Sequence, residues 1–351
     1  MNSILRTVLD GQLGSWLAAH GQPAFRRRQI ERWIASGADE FEAMSDLPKS
    51  LREALRGAFV LRQSHVVRHQ HDPDGTEKLL LEWSDGQRIE GVLLRDAQRR
   101  TVCISTQVGC AMGCVFCASG LSGLERNLRR EEILEQVLRL QACLGDDERL
   151  SHVVVMGMGE PLANLDELLP ALDFLASPDG LGISARRITL STVGLPAAIR
   201  RLARHARPYR LAISLHAADD TLRSRLIPVN RSIGIAAVVE AADDYFRASG
   251  RRLTFEYTLL GGINDRASDA CRLATLLEGR TALINLIPYN PVPGLPYPTP
   301  RPADVRRFRD ILEEAGIDTQ IRKRRGAAIE AACGQLRRAE AETLSSGGGV
   351  E

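Results

Sequence analysis

From about residue 101 onward, short apolar runs alternate with amphipathic stretches of helical period, and this rhythm limits the fold more than any other feature. Strand-like runs are predicted at 102–106, 152–156, 187–191, 210–215, 253–259, 282–287 and 319–322. Helical stretches are predicted between them, at 130–144, 164–177, 195–205, 234–249, 266–279 and 302–315. The first carries Ile133, Leu134, Val137, Leu138 and Leu144 on one side. Such alternation builds a parallel sheet with helices outside it, open or curled into a barrel. In sheets of this kind chemistry sits at the carboxyl ends of the strands.

The N-terminal part has a different rhythm. Residues 1–60 read as helices, one over 24–36 with Ile30, Trp33 and Ile34 among arginines, another from Leu47-Pro48 through Phe59. Residues 61–100 change to period two. The turn signals Asp72-Pro73-Asp74-Gly75 and Ser84-Asp85-Gly86 divide them into three strands of a small antiparallel meander. The expected organisation is a helical region 1–60, a β extension 61–100, a main α/β unit 101–340 and a flexible tail 341–351, where Ser345-Ser346-Gly347-Gly348-Gly349 stands.

Composition adds exclusions. At 351 residues, 44% hydrophobic and 26% charged, the chain is neither disordered nor a small disulfide scaffold. Arg6 and Asp10 interrupt any N-terminal apolar stretch, so a cytoplasmic protein with reduced thiols is expected. The longest uncharged run, 281–300, contains six prolines and is no membrane helix. Net charge is +2, yet the basic side is almost all arginine, with only Lys49, Lys78 and Lys323 as lysines. Guanidinium grips phosphate in a fork. Arg26, Arg27 and Arg28, and the run Arg322, Lys323, Arg324 and Arg325, are therefore the candidate phosphate contacts, although charge runs are more often solvated faces.

Directly after the first strand of the alternation comes Cys110-Ala-Met-Gly-Cys114-Val-Phe-Cys117. Three thiols within eight residues are too dense for ordinary core cysteines. A tight loop can converge three soft ligands on a cubane iron–sulfur cluster and leave the fourth iron open. A structural zinc site needs a fourth Cys or His nearby, and none follows in the loop.

This spacing, with Phe116 before the last cysteine, resembles the radical S-adenosylmethionine (SAM) motif. Further stretches resemble one branch of that superfamily, the RlmN/Cfr methyltransferases of large-subunit ribosomal RNA. They are Asp85-Gly86-x3-Glu90, Cys103-Ile-Ser-Thr-Gln-Val-Gly-Cys110, Met156-Gly-Met-Gly-Glu-Pro-Leu162, Leu190-Ser-Thr192, Ile213-Ser-Leu-His216, Asn285-Leu-Ile-Pro-Tyr-Asn290-Pro291 and Ala331-Ala-Cys333-Gly-Gln-Leu336. The resemblance spans about 23–336. It implies a partial (β/α)6 barrel with an N-terminal accessory region, one [4Fe–4S] cluster on Cys110, Cys114 and Cys117, and SAM bound by Gly159, Glu160, Ser191, Ser214, Leu215, His216 and Asn290.

The resemblance also implies the chemistry. Cys333 takes a methyl group from one SAM, and a radical from a second SAM activates that methyl for attack on a ring carbon of an adenine. Glu90 is the proton acceptor. Cys103 resolves the covalent RNA adduct by forming a transient disulfide with Cys333. The implied substrate is 23S rRNA at adenine C2, with a tRNA adenine beside the anticodon for many members, and an electron donor such as flavodoxin. Ala328 stands where the family usually carries an acid, which leaves the Cfr-type C8 outcome open. The alternative of another class is a non-catalytic zinc-binding RNA or ribosome-assembly module, which would leave Cys103 and Cys333 idle. Cys143 and Cys271 match no motif and are expected in the core. His65, His69 and His71 are not read as a metal site, because no other converging ligand is apparent around them.

Overall fold

The structure, a computed structural model, describes residues 2–337; the expected tail 341–351 lies outside the described residues. Ten strands form one sheet. In chain order they are β1 (His65–His71), β2 (Glu77–Glu82), β3 (Arg88–Asp96), β4 (Arg99–Cys103), β5 (His152–Val155), β6 (Ile188–Thr192), β7 (Arg210–Ser214), β8 (Leu253–Leu259), β9 (Ala282–Pro288) and β10 (Asp318–Ile321). Their spatial order follows the chain, and β10 does not pair back onto β1. From β4 to β10 every neighbour is parallel. A main crossover helix links each parallel pair: Arg130–Gln141, Leu165–Ala176, Pro196–Ala203, Ile235–Ser249, Ala267–Leu277 and Pro302–Glu314, with the short helices Ala118–Leu121, Asp220–Leu226 and Asn230–Ile233 added in two of the connections. This is the expected partial (β/α)6 barrel, with every predicted strand and helix present to within a few residues.

The meander is not a separate layer. β1, β2 and β3 pair antiparallel in sequence, and β3 pairs with β4, so residues 65–96 lengthen the barrel sheet itself. Period two predicts the strands but says nothing about which edge they join.

The N-terminal region holds four α-helices, Ile4–Leu9, Leu13–Ala19, Arg26–Ala35 and Lys49–Ala58. They share one continuous hydrophobic core with the barrel, running from Ile4, Leu5 and Ile30 through Ile133, Leu168 and Phe255. Charged groups seal the seam. Arg130 bridges Asp10 at 2.8 Å and Glu167 at 2.9 Å. This covering changes helix Arg130–Gln141. Glu131, Glu132, Glu135 and Gln136 are all buried there, whereas an amphipathic reading sends them to solvent. Glu135 is satisfied by the Ser64 backbone N–H at 2.8 Å and the Ser64 hydroxyl at 2.6 Å.

Candidate active site

Between β4 and helix Arg130–Gln141, a short hairpin pairs Gln107–Gly109 with Leu124–Asn127. It closes the loop that carries Cys110, Cys114 and Cys117. The closure depends on Gly109, which has φ +77°, and whose missing Cβ would lie 2.0 Å from the Gly123 carbonyl oxygen. The loop is tied to the far end of the chain: the Ala118 N–H donates to the Gly334 carbonyl at 2.8 Å, and the Ser119 hydroxyl to the Leu336 carbonyl at 2.6 Å.

The three cysteines line a cavity of about 150 Å³ at the carboxyl ends of the parallel strands. Gly159, Glu160, Ser191, Ser214 and His216, five of the seven residues expected to contact SAM, line the same cavity. Gly159 has φ +98°, and a Cβ there would meet the Gln107 side chain at 2.6 Å, so the backbone itself forms the wall. Glu160 is buried. Its carboxylate accepts from the Leu162 N–H at 3.0 Å and the Val193 N–H at 2.9 Å. Burial outweighs these bonds and pushes the carboxyl up to about 7, an environment that favours a cationic partner such as an ammonium. Ser191 and Ser214 face each other, with their hydroxyls 3.2 Å apart.

His216 has a left-handed backbone, φ +59°. Its Nδ1 accepts from the Thr258 N–H at 2.9 Å, which leaves Nε2 to carry the proton of the neutral ring. Burial pulls its pKa down to about 3. The ring meets Phe116 edge to face, with centroids 4.9 Å apart, so the aromatic residue of the cysteine motif packs on the opposite strand end.

Two expected SAM contacts lie elsewhere. The Leu215 side chain is fully buried in the core, and its carbonyl accepts from Arg223 Nε at 3.0 Å. Asn290 lines a second cavity and donates from Nδ2 to the Cys333 carbonyl at 3.1 Å. This second cavity, about 180 Å³, is walled by Val92, Leu94, Cys103, Ala332 and Leu336. Cys333 and Arg322 belong to the walls of both cavities. Cys103, paired opposite Val92 across β3 and β4, is pushed up to about 12 by burial and then by the nearby Cys333. No disulfide joins any of the seven cysteines.

Glu90 lies two residues before Val92 on β3 and therefore on the same sheet face as Cys103. It lines neither cavity. One carboxylate oxygen pairs with Lys78 Nζ at 2.8 Å, and the other accepts from the Arg337 N–H at 2.9 Å. Lys78 Nζ also donates to the Glu330 carbonyl at 3.3 Å, so the pair clamps both flanks of the Cys333 segment.

A model of the radical SAM superfamily matches residues 104–274, and a model of the ribosomal RNA large subunit methyltransferase N-terminal domain matches residues 6–61. A relative from Rhodopirellula baltica, named a probable dual-specificity RNA methyltransferase RlmN, is 59% identical over 98% of this chain and 93% of its own length. The dual-specificity RNA methyltransferase RlmN of Anaeromyxobacter dehalogenans is 44% identical, covering 95% of this chain and 91% of its own. The chain belongs to the RlmN family. A crystal structure of a radical SAM methyltransferase from Sphaerobacter thermophilus superposes with a TM-score of 0.92 at 43% identity, covering 96% of this chain and 99% of that one.

RlmN-family membership brings a [4Fe–4S] cluster and SAM, and excludes the non-catalytic zinc module. The donor set agrees. Among the described residues, the one group of three Cys, His, Asp or Glu side chains with ligand atoms all within 4.8 Å of one another is His69, Glu77 and Cys143. The loop cysteines form no such group, and three soft thiolates on one loop are the donors an iron–sulfur cluster takes. Burial pushes all three thiols up, and their mutual repulsion adds to this for Cys114. Only a bound cation makes such a trio comfortable as thiolates.

The two cysteines outside any motif do not take the core positions expected of them. Cys271 is exposed and Cys143 only half-buried, because the core stripe of helix Ala267–Leu277 is carried by Ala270, Leu273 and Leu277 instead. Arg322 faces the cavities, with Nη1 3.6 Å from Met156 Sδ and 3.9 Å from Glu256. Arg325 pairs with Asp96 at 2.8 Å, Arg27 with Glu31 at 2.7 Å and Arg28 with Asp179 at 3.8 Å. Arg26 donates to Gln29 at 2.7 Å and to the Asp46 carbonyl at 3.1 Å.

Sequence pattern alone also misses two residues. Arg223 is fully buried and donates to the carbonyls of Val193, Ser214 and Leu215, pinning two strand ends beside the cavity. Glu256 lines the cavity with one carboxylate oxygen bonded to Asn285 at 3.0 Å and the other without a hydrogen-bond partner. A carboxylate in the middle of a central parallel strand was the available signal, because such strands are covered on both faces unless one borders a cavity.

Proposed function

We propose that this chain methylates C2 of an adenine in 23S rRNA, and the adenine beside the anticodon in some tRNAs, by way of a methyl group carried on Cys333. The observation that carries this reading is the position of Cys333 in the wall between two cavities, with the cluster cysteines on one side and Cys103 on the other. When bound, cluster and SAM supply a methyl group in one round and a hydrogen-abstracting deoxyadenosyl radical in the next.

The roles of the chain's own residues follow. Glu160, Ser191, Ser214 and His216 hold SAM against the cluster, and Glu160 receives its ammonium. The Cys333 sulfur accepts the methyl group. Loss of one hydrogen from that methyl leaves a carbon radical on the protein, which adds to the adenine ring. Glu90 receives the ring proton once entering RNA has loosened its contacts to Lys78 and Arg337. Cys103, on the same sheet face, then attacks the Cys333 sulfur. The Cys333–carbon bond breaks as the Cys103–Cys333 disulfide forms, the released methylene takes up the proton given up by the Cys103 thiol, and the adduct's one unpaired electron would pass back to the bound cluster as the methylated RNA leaves. Asn290 orients Cys333 through its carbonyl. A flavodoxin-like donor in the cytoplasm supplies electrons. C2 is favoured over the Cfr-type C8 product because the full-length relatives carry the RlmN name. The described residues contain no helix long and apolar enough to cross a membrane.

Nucleoside mass spectrometry of 23S rRNA from cells with and without the gene tests the product. Gene-dependent 2-methyladenosine is expected, and gene-dependent 8-methyladenosine overturns the C2 assignment. Cys103→Ala should accumulate a covalent protein–RNA adduct that disappears when Cys333 is also replaced. Wild-type turnover without any such adduct in Cys103→Ala overturns the carrier mechanism.

A further inference from the structure

On the sheet face turned away from the cavities, ligands of three kinds converge. β1 and β2 pair with His71 opposite Glu77 and His69 opposite Leu79. Residues two apart on a strand share a face, so His69, His71 and Glu77 project together. Arg95 joins them, two residues beyond Leu93, the β3 partner of Glu77. Lys78 and Glu90 have the opposite parity and face the catalytic side. Helix Arg130–Gln141 covers the outer face so closely that a Cβ on Gly91 would lie 3.2 Å from Leu140 Cδ1. The turn after this helix delivers Cys143.

His69 Nε2 lies 2.5 Å from one carboxylate oxygen of Glu77, and His71 Nδ1 lies 3.6 Å from the same oxygen. With Cys143 Sγ the His69 and Glu77 ligand atoms are all within 4.8 Å of one another. Arg95 holds the other Glu77 oxygen at 2.5 Å and donates from Nη2 to the Cys143 carbonyl at 2.9 Å. One guanidinium therefore orients both the carboxylate and the backbone that bears the thiol, as outer partners of metal ligands do.

We propose that His69, Glu77 and Cys143, with His71 or a water as fourth ligand, bind a divalent ion of the zinc class at a site separate from the iron–sulfur loop. Imidazole nitrogen, thiolate sulfur and carboxylate oxygen are the donors that tetrahedral zinc takes, whereas magnesium and calcium avoid the sulfur. One thiolate and one carboxylate balance the two charges of the ion, and the imidazoles remain neutral. The ion replaces the His69–Glu77 hydrogen bond and staples the edge of the meander to the end of the first barrel helix. His65 is paired opposite Glu82, beyond a register shift at Val66/Arg68, and stands apart from the group.

The test uses oxygen-free enzyme with its iron–sulfur site filled, equilibrated with buffered zinc. Zinc and iron are counted by elemental analysis, and the zinc shell is read by X-ray absorption. One zinc per chain is expected, with iron undiminished and one sulfur among nitrogen and oxygen neighbours. Cys143→Ser and His69→Gln should each weaken zinc retention by at least about 10-fold, and His65→Gln should leave it unchanged. The proposal is overturned if no zinc is retained, if the zinc shell is sulfur-rich and iron is lost, or if the Cys143→Ser, His69→Gln double variant keeps its zinc. Should a variant fail to fold, the shell of the wild-type zinc still decides, because the cluster loop offers only sulfur ligands.

Discussion

At the scale of single residues, the site is held by groups whose environments leave little freedom. Gly109→Ala forces a Cβ into the Gly123 carbonyl at a left-handed backbone position. The closed cysteine loop should open, and iron per chain after reconstitution should fall well below wild type. Lys78 and Glu90 form a buried ion pair. Removing one partner strands a charge, so Lys78→Met should cost about 3 kcal/mol in urea unfolding, and adding Glu90→Leu should recover most of it. His216 has a pKa of about 3 against 6.5 when unfolded. Between those values the unfolded state binds the extra proton, so His216 lowers stability as pH falls. From pH 7 to pH 5 its share is about 2 kcal/mol. His216→Asn should therefore lose less stability than wild type over that interval in paired melts. The comparison isolates His216 from Glu160 and Glu256, whose raised carboxyls act in the opposite direction.

At the scale of elements, strands and crossover helices were legible because period two and period 3.6 are properties of the local chain. The hairpin around the cysteine loop was not. Its strands are three and four residues long, too short to show a period. Helix Arg130–Gln141 shows the converse problem, since its carboxylates look solvent-facing until the N-terminal helices cover them. Glu135→Leu should leave the Ser64 and Gln63 N–H groups unsatisfied. We expect a loss of about 2–3 kcal/mol and faster proteolysis in the segment joining the N-terminal helices to β1, read by limited digestion.

At the scale of the whole molecule, the N-terminal helices and the barrel share one core. Deleting residues 1–60 should expose Ile133, Leu134 and their neighbours. The remainder should be recovered as aggregate, not as soluble monomer, on size-exclusion chromatography. The same scale explains the two cavities: their walls draw on β3 to β9, on Arg322 just past β10 and on the segment around Cys333, which is held by Asp72, Asp74, Lys78, Glu90 and Asn290.

The chain's order of apolar periods and its eight-residue cysteine run were enough to determine the barrel and the position of the cysteine loop at its strand ends, because a strand end and a tight loop position their own residues. Convergence across long separations was decided only in three dimensions. Cys333 meets Cys103 across 230 positions, Glu256 and Arg223 acquire meaning only beside a cavity, and Cys143 joins His69 and Glu77 only because a helix end is laid on the back of a sheet. Such contacts depend on register and packing, and no local pattern along the chain encodes them.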